Sequence, residues 1–289
     1  FVEDNPFYAE MGGQVADKGY LKNNNCKLEV LDVIKCPNKQ HLLKVKVLEG
    51  TIIKGESIVT HVDEKNRQSI ARNHALQHAQ GEYIYMMDSD DVLDNPDALR
   101  ICYEYAEKTG ADFIFFDGDI LLESGANPLT WNYKRTQELV EDKAYDGECL
   151  LNMMLDNYKH NCVVWLLLIK HDFLKQINLD FFPGIIHEDE LFTTKLTLQS
   201  HNIFCLKQSF VKHRVRSAST MGKHYSKRNI NCYLTVIDEL LKWRDTSIIH
   251  KFARYTLSKV FYTGHLIPFK EKFGVIEPIL QNKILEWRA

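Results

Sequence analysis

The chain has no apolar run long enough to cross a bilayer. Its longest, Val163 to Ile169, falls far short of the roughly 20 residues that a spanning helix needs. The opening Phe1-Val2-Glu3-Asp4-Asn5 has none of the character of a secretory leader. It also lacks a methionine, so the chain reads as a piece of a longer protein. Paired cysteines are absent too. The seven cysteines, at 26, 36, 102, 149, 162, 205 and 232, are odd in number and scattered without a CxxC, which excludes a disulfide framework and a zinc ribbon and points to a reducing cytoplasm. No block of like charge occurs: 36 basic and 39 acidic residues give a net charge of −3. A global field for nucleic acid or membrane is thereby excluded, and any charged partner must be read by a local site. Peripheral contact with a membrane face stays compatible with these features. Neither an internal repeat nor a low-complexity tract is present.

What remains is a chain of 289 residues with 45% apolar content, enough for one large α/β domain or two medium ones. Up to about Val62 it is dense in β-formers, over Lys27–Ile34, Leu42–Leu48 and Ile58–Val62, with Asn, Gly and Pro clusters between. This predicts a small β-barrel or curled sheet. A helix follows over about 64–78. Then comes the buried-strand pattern Glu82-Tyr83-Ile84-Tyr85-Met86-Met87, a helix from Asn95-Pro96-Asp97 to Thr109, and a second apolar strand over Ala111–Asp117. Strand, helix, strand predicts a parallel βαβ unit. Further on, helices are predicted over 147–158 and 188–199, strands over 163–169 and near Ile203 and Phe210, and a mostly helical region from about Ser226.

The strongest chemical signal is Asp88-Ser89-Asp90-Asp91 at the carboxyl end of the first of those strands. Three carboxylates in four residues repel one another unless a positive partner compensates, and strand ends in open α/β sheets are where ligands bind. Oxygen ligands of this kind suit Mg²⁺ or Mn²⁺. The competing reading is an acidic turn that caps the next helix.

Three motifs in order, Ser69-Ile70-Ala71-Arg72-Asn73, then Gly81-Glu82-Tyr83-Ile84, then the acidic cluster, resemble family 2 glycosyltransferases with a GT-A fold. The resemblance extends over about residues 70–245. It implies a truncated GT-A sheet, a nucleotide-sugar donor such as a UDP-sugar, a saccharide or lipid-linked acceptor, and a site at the inner face of the membrane. Asp88, Asp90 and Asp91 are by this resemblance the metal-binding set, with Asp88, Asp90 and Arg72 also at the nucleotide. Gly184-Ile185-Ile186-His187-Glu188-Asp189-Glu190 resembles the element that carries the general base of inverting members, which makes Asp189 the base, with His187 beside it as a substitute. An acid-rich first helical turn satisfying the helix dipole would look the same. Lys212-His213-Arg214-Val215-Arg216 resembles a basic segment of the same enzymes, so that Arg214 and Arg216 would clamp the pyrophosphate. A charge-guarded edge strand is the alternative.

The two opening strands of that family, which hold the uracil and ribose, have no counterpart. Instead residues 1–74 resemble alanyl-tRNA synthetase at the β-barrel leading into its editing domain. The carriers are Pro6-Phe7-Tyr8-Ala9-Glu10-Met11-Gly12-Gly13-Gln14-Val15-Ala16-Asp17-Lys18-Gly19 and Val62-Asp63-Glu64-Lys65-Asn66-Arg67-Gln68-Ser69-Ile70-Ala71-Arg72-Asn73-His74. The chain thus reads as a chimera of three parts: 1–74 synthetase-like, 75–225 glycosyltransferase-like and 226–289 helical. His74 and His78 have the HxxxH spacing that the synthetase family uses for zinc, but the later Cys and His ligands have no counterpart, and tRNA is not the expected partner. The expectation is a glycosyltransferase by lineage, impaired by the lost strands. A non-catalytic or tRNA-related module derived from the synthetase is the alternative.

Overall fold

The computed structural model describes Val2, Phe7 and residues 18–36, 40–62, 68–126, 128–129, 132–215 and 227–262. Two compact units result, one of residues 1–79 with 181–185 and one of residues 80–180 with 186–289.

In the first unit, β1 (Gly19–Lys22), β2 (Cys26–Lys35), β3 (His41–Gly50) and β4 (Val59–Val62) form an antiparallel sheet in the order β3-β2-β1-β4. The three predicted β-rich stretches correspond to β2, β3 and β4. Along β2 the inward positions Cys26, Leu28 and Val30 keep the two-residue period of a half-buried strand, and then the pairing slips between Val30 and Asp32. One extra residue inverts the faces. That is why Val33, not Ile34, joins Phe7, Leu21 and Leu28 in the core of this sheet. Helix α1 (Gln68–His78) belongs to the same unit. Asn73 holds residues 181–185 to it, donating from Nδ2 to the Phe181 carbonyl and accepting from the Phe181 amide, both at 2.8 Å. Ser69 Oγ donates to the Phe182 carbonyl at 2.9 Å.

The second unit is built on a mixed five-stranded sheet, β5 (Tyr83–Tyr85), β6 (Val92–Leu93), β7 (Phe113–Leu122), β8 (Leu167–Lys170) and β9 (Ile203–Val215), in the order β5-β8-β7-β9-β6. No strand of residues 1–79 enters it among the described residues. Helix α2 (Ala98–Thr109) connects β5 and β6 to β7, closing on Gly110 in the left-handed conformation that lets its amide return to the Ala106 carbonyl side of the last turn. The predicted βαβ unit is therefore present in direction but not in pairing. β5 and β7 each pair antiparallel with β8, which lies between them, and the parallel neighbour of β7 is β9. The apolar run expected as one strand over 163–169 is a 3₁₀ turn at Val164–Leu166 followed by β8. The two strands expected near Ile203 and Phe210 are one, β9.

β7 is buried along its first six residues, as a central strand covered on both faces must be. Ala98, Cys102 and Ala106 of α2 pack on the sheet with Ile114, Phe116, Leu166, Phe210 and Val211. The other helices, α3 (Gly147–Asp156), α4 (His171–Gln176), α5 (Glu188–Gln199), α6 (Lys227–Trp243) and α7 (Ser247–Tyr262), complete the unit. α3 starts against the end of α5. A Cβ on Gly147 would lie 1.7 Å from the Thr197 carbonyl oxygen, and the Gly147 amide donates to the Ser200 carbonyl at 2.9 Å. Overpacking of a well-packed site typically costs about 1–3 kcal/mol, and a clash with backbone belongs at the upper end. Gly147→Ala should therefore lower the urea midpoint by the equivalent of about 3 kcal/mol with an unchanged slope; an unchanged midpoint would show that α3 and α5 are not this close.

Candidate functional site

The acidic cluster forms a tight turn after β5, closed by a hydrogen bond from the Asp91 amide to the Asp88 carbonyl at 3.1 Å. Its three carboxylates do not share one environment. Asp88 and Asp90 are half-buried, whereas the Asp91 side chain is fully buried. Asp91 accepts from His213 Nδ1 at 2.9 and 3.1 Å and from the Arg214 amide at 3.0 Å. The expected three-carboxylate metal set is thereby divided: Asp91 is buried against β9, whereas Asp88 and Asp90 keep part of their surface exposed. Just beyond, β6 pairs with Lys212 and Val211 of β9, and the Asp94 amide donates to the Phe210 carbonyl at 2.9 Å.

His213 is held on its faces as well as at its edge. Its ring stacks on Trp165 with centroids 5.1 Å apart and 11° between planes, and Tyr133 meets it edge-on at 5.5 Å. Gly118 makes room for the indole, since a Cβ there would sit 2.9 Å from Trp165 Cζ3. Burial works against a charged imidazolium, but the Asp91 hydrogen bond and the charges of Asp91, Asp88 and Asp90 outweigh it and raise the His213 pKa above its ordinary value. The neighbouring Tyr85 hydroxyl is buried and has no hydrogen-bond partner among the described residues. Burial, followed by the charges of Asp91, Cys102 and Asp88, pushes it far above the ordinary phenol range.

Arg214, expected at the pyrophosphate, spends two donors on the protein. Its Nε donates to the Asp90 carbonyl at 2.9 Å and its Nη1 to Glu123 Oε1 at 2.9 Å. Arg216 lies outside the described residues. Arg72 sits on α1 in the first unit with its guanidinium 5.1 Å from the centre of the Phe181 ring.

The second acidic element opens α5. His187 precedes it with φ of 69°, a left-handed conformation that costs a non-glycine residue on the order of 1–3 kcal/mol. Stacking on Tyr233 at 3.9 Å and an Nε2 contact with Asn229 at 3.3 Å hold it there. Glu188 and Glu190 are buried, and Glu190 meets the buried His160 at 3.2 Å. Asp189 is half-buried, so it is the carboxylate of the three that solvent or a ligand can reach. His74 and His78 lie on α1 with ring centroids 4.4 Å apart and planes tilted by 44°, and His78 Nδ1 is 2.9 Å from the His74 carbonyl. Among the described residues no three His, Cys, Asp or Glu side chains converge as a metal cage. Among the described residues no helix is long and apolar enough to cross a membrane.

Comparison with known proteins finds two families along the chain, their matches overlapping over residues 47–66. Residues 47–159 match Glycosyl transferase family 2, and residues 1–66 match tRNA synthetases class II (A). The alanine–tRNA ligase of Bacillus mycoides (strain KBAB4) is 51% identical over 73 residues, which is 25% of this chain and 8% of that enzyme. The alanine–tRNA ligase of Mesoplasma florum is 32% identical over 127 residues, 42% of this chain and 14% of that enzyme. This chain therefore spans only a small part of these relatives. Among solved structures, S. aureus TarS 1-349 in complex with UDP-GlcNAc superposes with a TM-score of 0.51 at 19% identity, over 75% of this chain and 58% of that one. The same protein in complex with UDP gives 0.50 at 18% identity, over 76% and 58%. A segment similar to alanyl-tRNA synthetase and a region that matches the family 2 glycosyl transferase model, in a mixed α/β fold like that of TarS, thus occur in a single chain.

The electrostatics of the turn give a pH prediction. Because the His213 pKa is raised in the folded state, the contribution of its charged form is fully present below its ordinary value of about 6.5 and is lost as pH rises through the elevated folded value. In an NMR titration His213 should titrate above the ordinary histidine value of about 6.5, and Asp91→Asn should bring it down. A His213 midpoint at or below the ordinary value of about 6.5 would contradict the pairing.

Proposed function

We propose that the chain is a nucleotide-sugar-dependent glycosyltransferase by lineage, in which Asp88 and Asp90 meet the donor diphosphate and Asp189 is the general base toward the acceptor. The observation that carries this reading is the division of the acidic turn: Asp91 fastened inward to β9, Asp88 and Asp90 left at the carboxyl end of β5. Ligands of open α/β sheets bind at such strand ends. A divalent cation held there by Asp88 and Asp90 would supply charge stabilisation for a nucleotide diphosphate leaving group. Asp189 would take the proton of the acceptor hydroxyl, the acceptor being a saccharide or a lipid-linked saccharide, and His187 could replace it only by giving up its stacking on Tyr233. UDP is favoured as the nucleotide, since the similar TarS structures hold UDP-GlcNAc and UDP. The setting consistent with this is the cytoplasm, at the inner face of the membrane. Arg216 would be a supporting contact to the diphosphate under the same reading.

Activity is expected to be low. Among the described residues the second sheet has no strand from residues 1–79; with the parts that would hold uracil and ribose replaced, the remaining diphosphate contact would be mostly electrostatic. The synthetase-derived unit supports a second reading, a non-catalytic or tRNA-related module, because its 51% identity over 73 residues marks it as little changed.

Two measurements decide between these. Ligand binding to the native state raises stability by mass action, by about 2.7 kcal/mol at a hundredfold excess over Kd, so UDP should raise the melting temperature only with Mn²⁺ present, and Asp90→Asn should abolish the shift. An undiminished shift in Asp90→Asn would remove the diphosphate assignment, whereas a shift produced by tRNA alone would favour the second reading. General-base assistance typically contributes about 10²–10⁴-fold. Sugar release from UDP-sugars, however slow, should fall by that factor in Asp189→Asn with little change in donor binding; turnover that survives the substitution sinks the base assignment.

A further inference from the structure

Glu123 stands at the end of β7, its amide donating to the Val215 carbonyl of β9 at 3.0 Å, so its backbone is fixed to the strand that carries Arg214. Its Oε1 accepts from Arg214 Nη1 at 2.9 Å. That contact orients a guanidinium whose Nε reaches back across the sheet to the Asp90 carbonyl. We propose that Glu123 and Arg214 are positioning residues for the acidic turn: their ion pair holds the backbone of Asp90, so that Asp88 and Asp90 are presented in one arrangement before any ligand arrives. The proposal rests on the reading that these two aspartates meet the diphosphate.

The other fastenings of the turn explain why this one is needed. Asp91 is held through its side chain by His213 and the Arg214 amide, and β6 is held by its backbone. Both lie on the carboxyl side of the turn. The Asp90 carbonyl lies between the two proposed ligand residues and the buried anchor, and its bond to Arg214 is charge-assisted, which makes it stronger than a neutral one. The alternative role for Arg214, a direct clamp on pyrophosphate, would need donors that here point at protein. A contribution to global stability is the wrong account of the pair, since its side chains are 29% and 41% exposed and such pairs contribute little. Its effect should be local.

Local opening can be read by amide exchange, which reports free energies from near zero up to the global value. Exchange on the whole chain is measured for the wild type, Glu123→Ala, Arg214→Met and, as a control remote from the turn, Lys175→Met. Both clasp variants should speed exchange at the Asp91 amide, which closes the turn onto Asp88, by about ten-fold or more, the scale of one charge-assisted hydrogen bond. The β7 and β9 amides should keep wild-type protection, the control should leave the turn unchanged, and the Mn²⁺-dependent UDP shift should shrink in both variants. Wild-type exchange at Asp91 in both variants would overturn the proposal, and so would accelerated exchange spread equally over β7 and β9. Absence of any UDP shift in the wild type would instead bring down the diphosphate reading, while the exchange data still decide whether the clasp holds the turn.

Discussion

Three carboxylates within four residues cannot all face the same space without mutual repulsion, and the second unit is arranged around the way this is resolved. Asp91 leaves the cluster. Its side chain is buried against β9, where an imidazole and a backbone amide satisfy it. A buried carboxylate without such partners would be costly, and breaking a buried pair by removing one member typically costs about 3–5 kcal/mol, so the inward turn of Asp91 commits the surrounding residues. His213 must be placed to meet it, Trp165 and Tyr133 must support His213, and Gly118 must lack a side chain for Trp165 to lie where it does. The chain gains a fixed turn in return, with two aspartates left toward the end of the sheet.

This economy bears on the loss of the opening strands. A site whose carboxylates were oriented by those strands would not survive their replacement. Here the contacts that order the turn come from β7, β9 and Trp165, all within residues 80–215 and inside one compact unit. The replaced portion forms its own antiparallel sheet with its own core.

Much of this was legible in the sequence, and the misses have identifiable causes. α5 begins at Glu188 and ends at Gln199 as predicted, because an acid-rich first turn is a local start signal. β2, β3 and β4 were likewise visible from alternation and turn residues. The insertion of β8 between β5 and β7 was not, since strand order depends on contacts across many residues and the βαβ pattern fixes direction only. The apolar run 163–169 could not reveal that its first half is a 3₁₀ turn, as uninterrupted apolarity carries no period. The role of Asp91 depends on partners 122 and 123 positions away, and Glu123 has no local signal at all. Arg214 shows the limit most clearly: a cation on a strand near an acidic turn suits a phosphate clamp, yet its fork is aimed at Asp90 and Glu123.

The central claim is that the acidic turn works as two parts, a buried anchor at Asp91 and a ligand-facing pair at Asp88 and Asp90. Crystals grown with UDP and Mn²⁺, with diffraction collected near the manganese absorption edge, test it directly. The account predicts a single anomalous peak within coordination distance of Asp88 or Asp90, with the Asp91 carboxylate still bonded to His213. A peak coordinated by Asp91, with His213 displaced from it, would contradict the account.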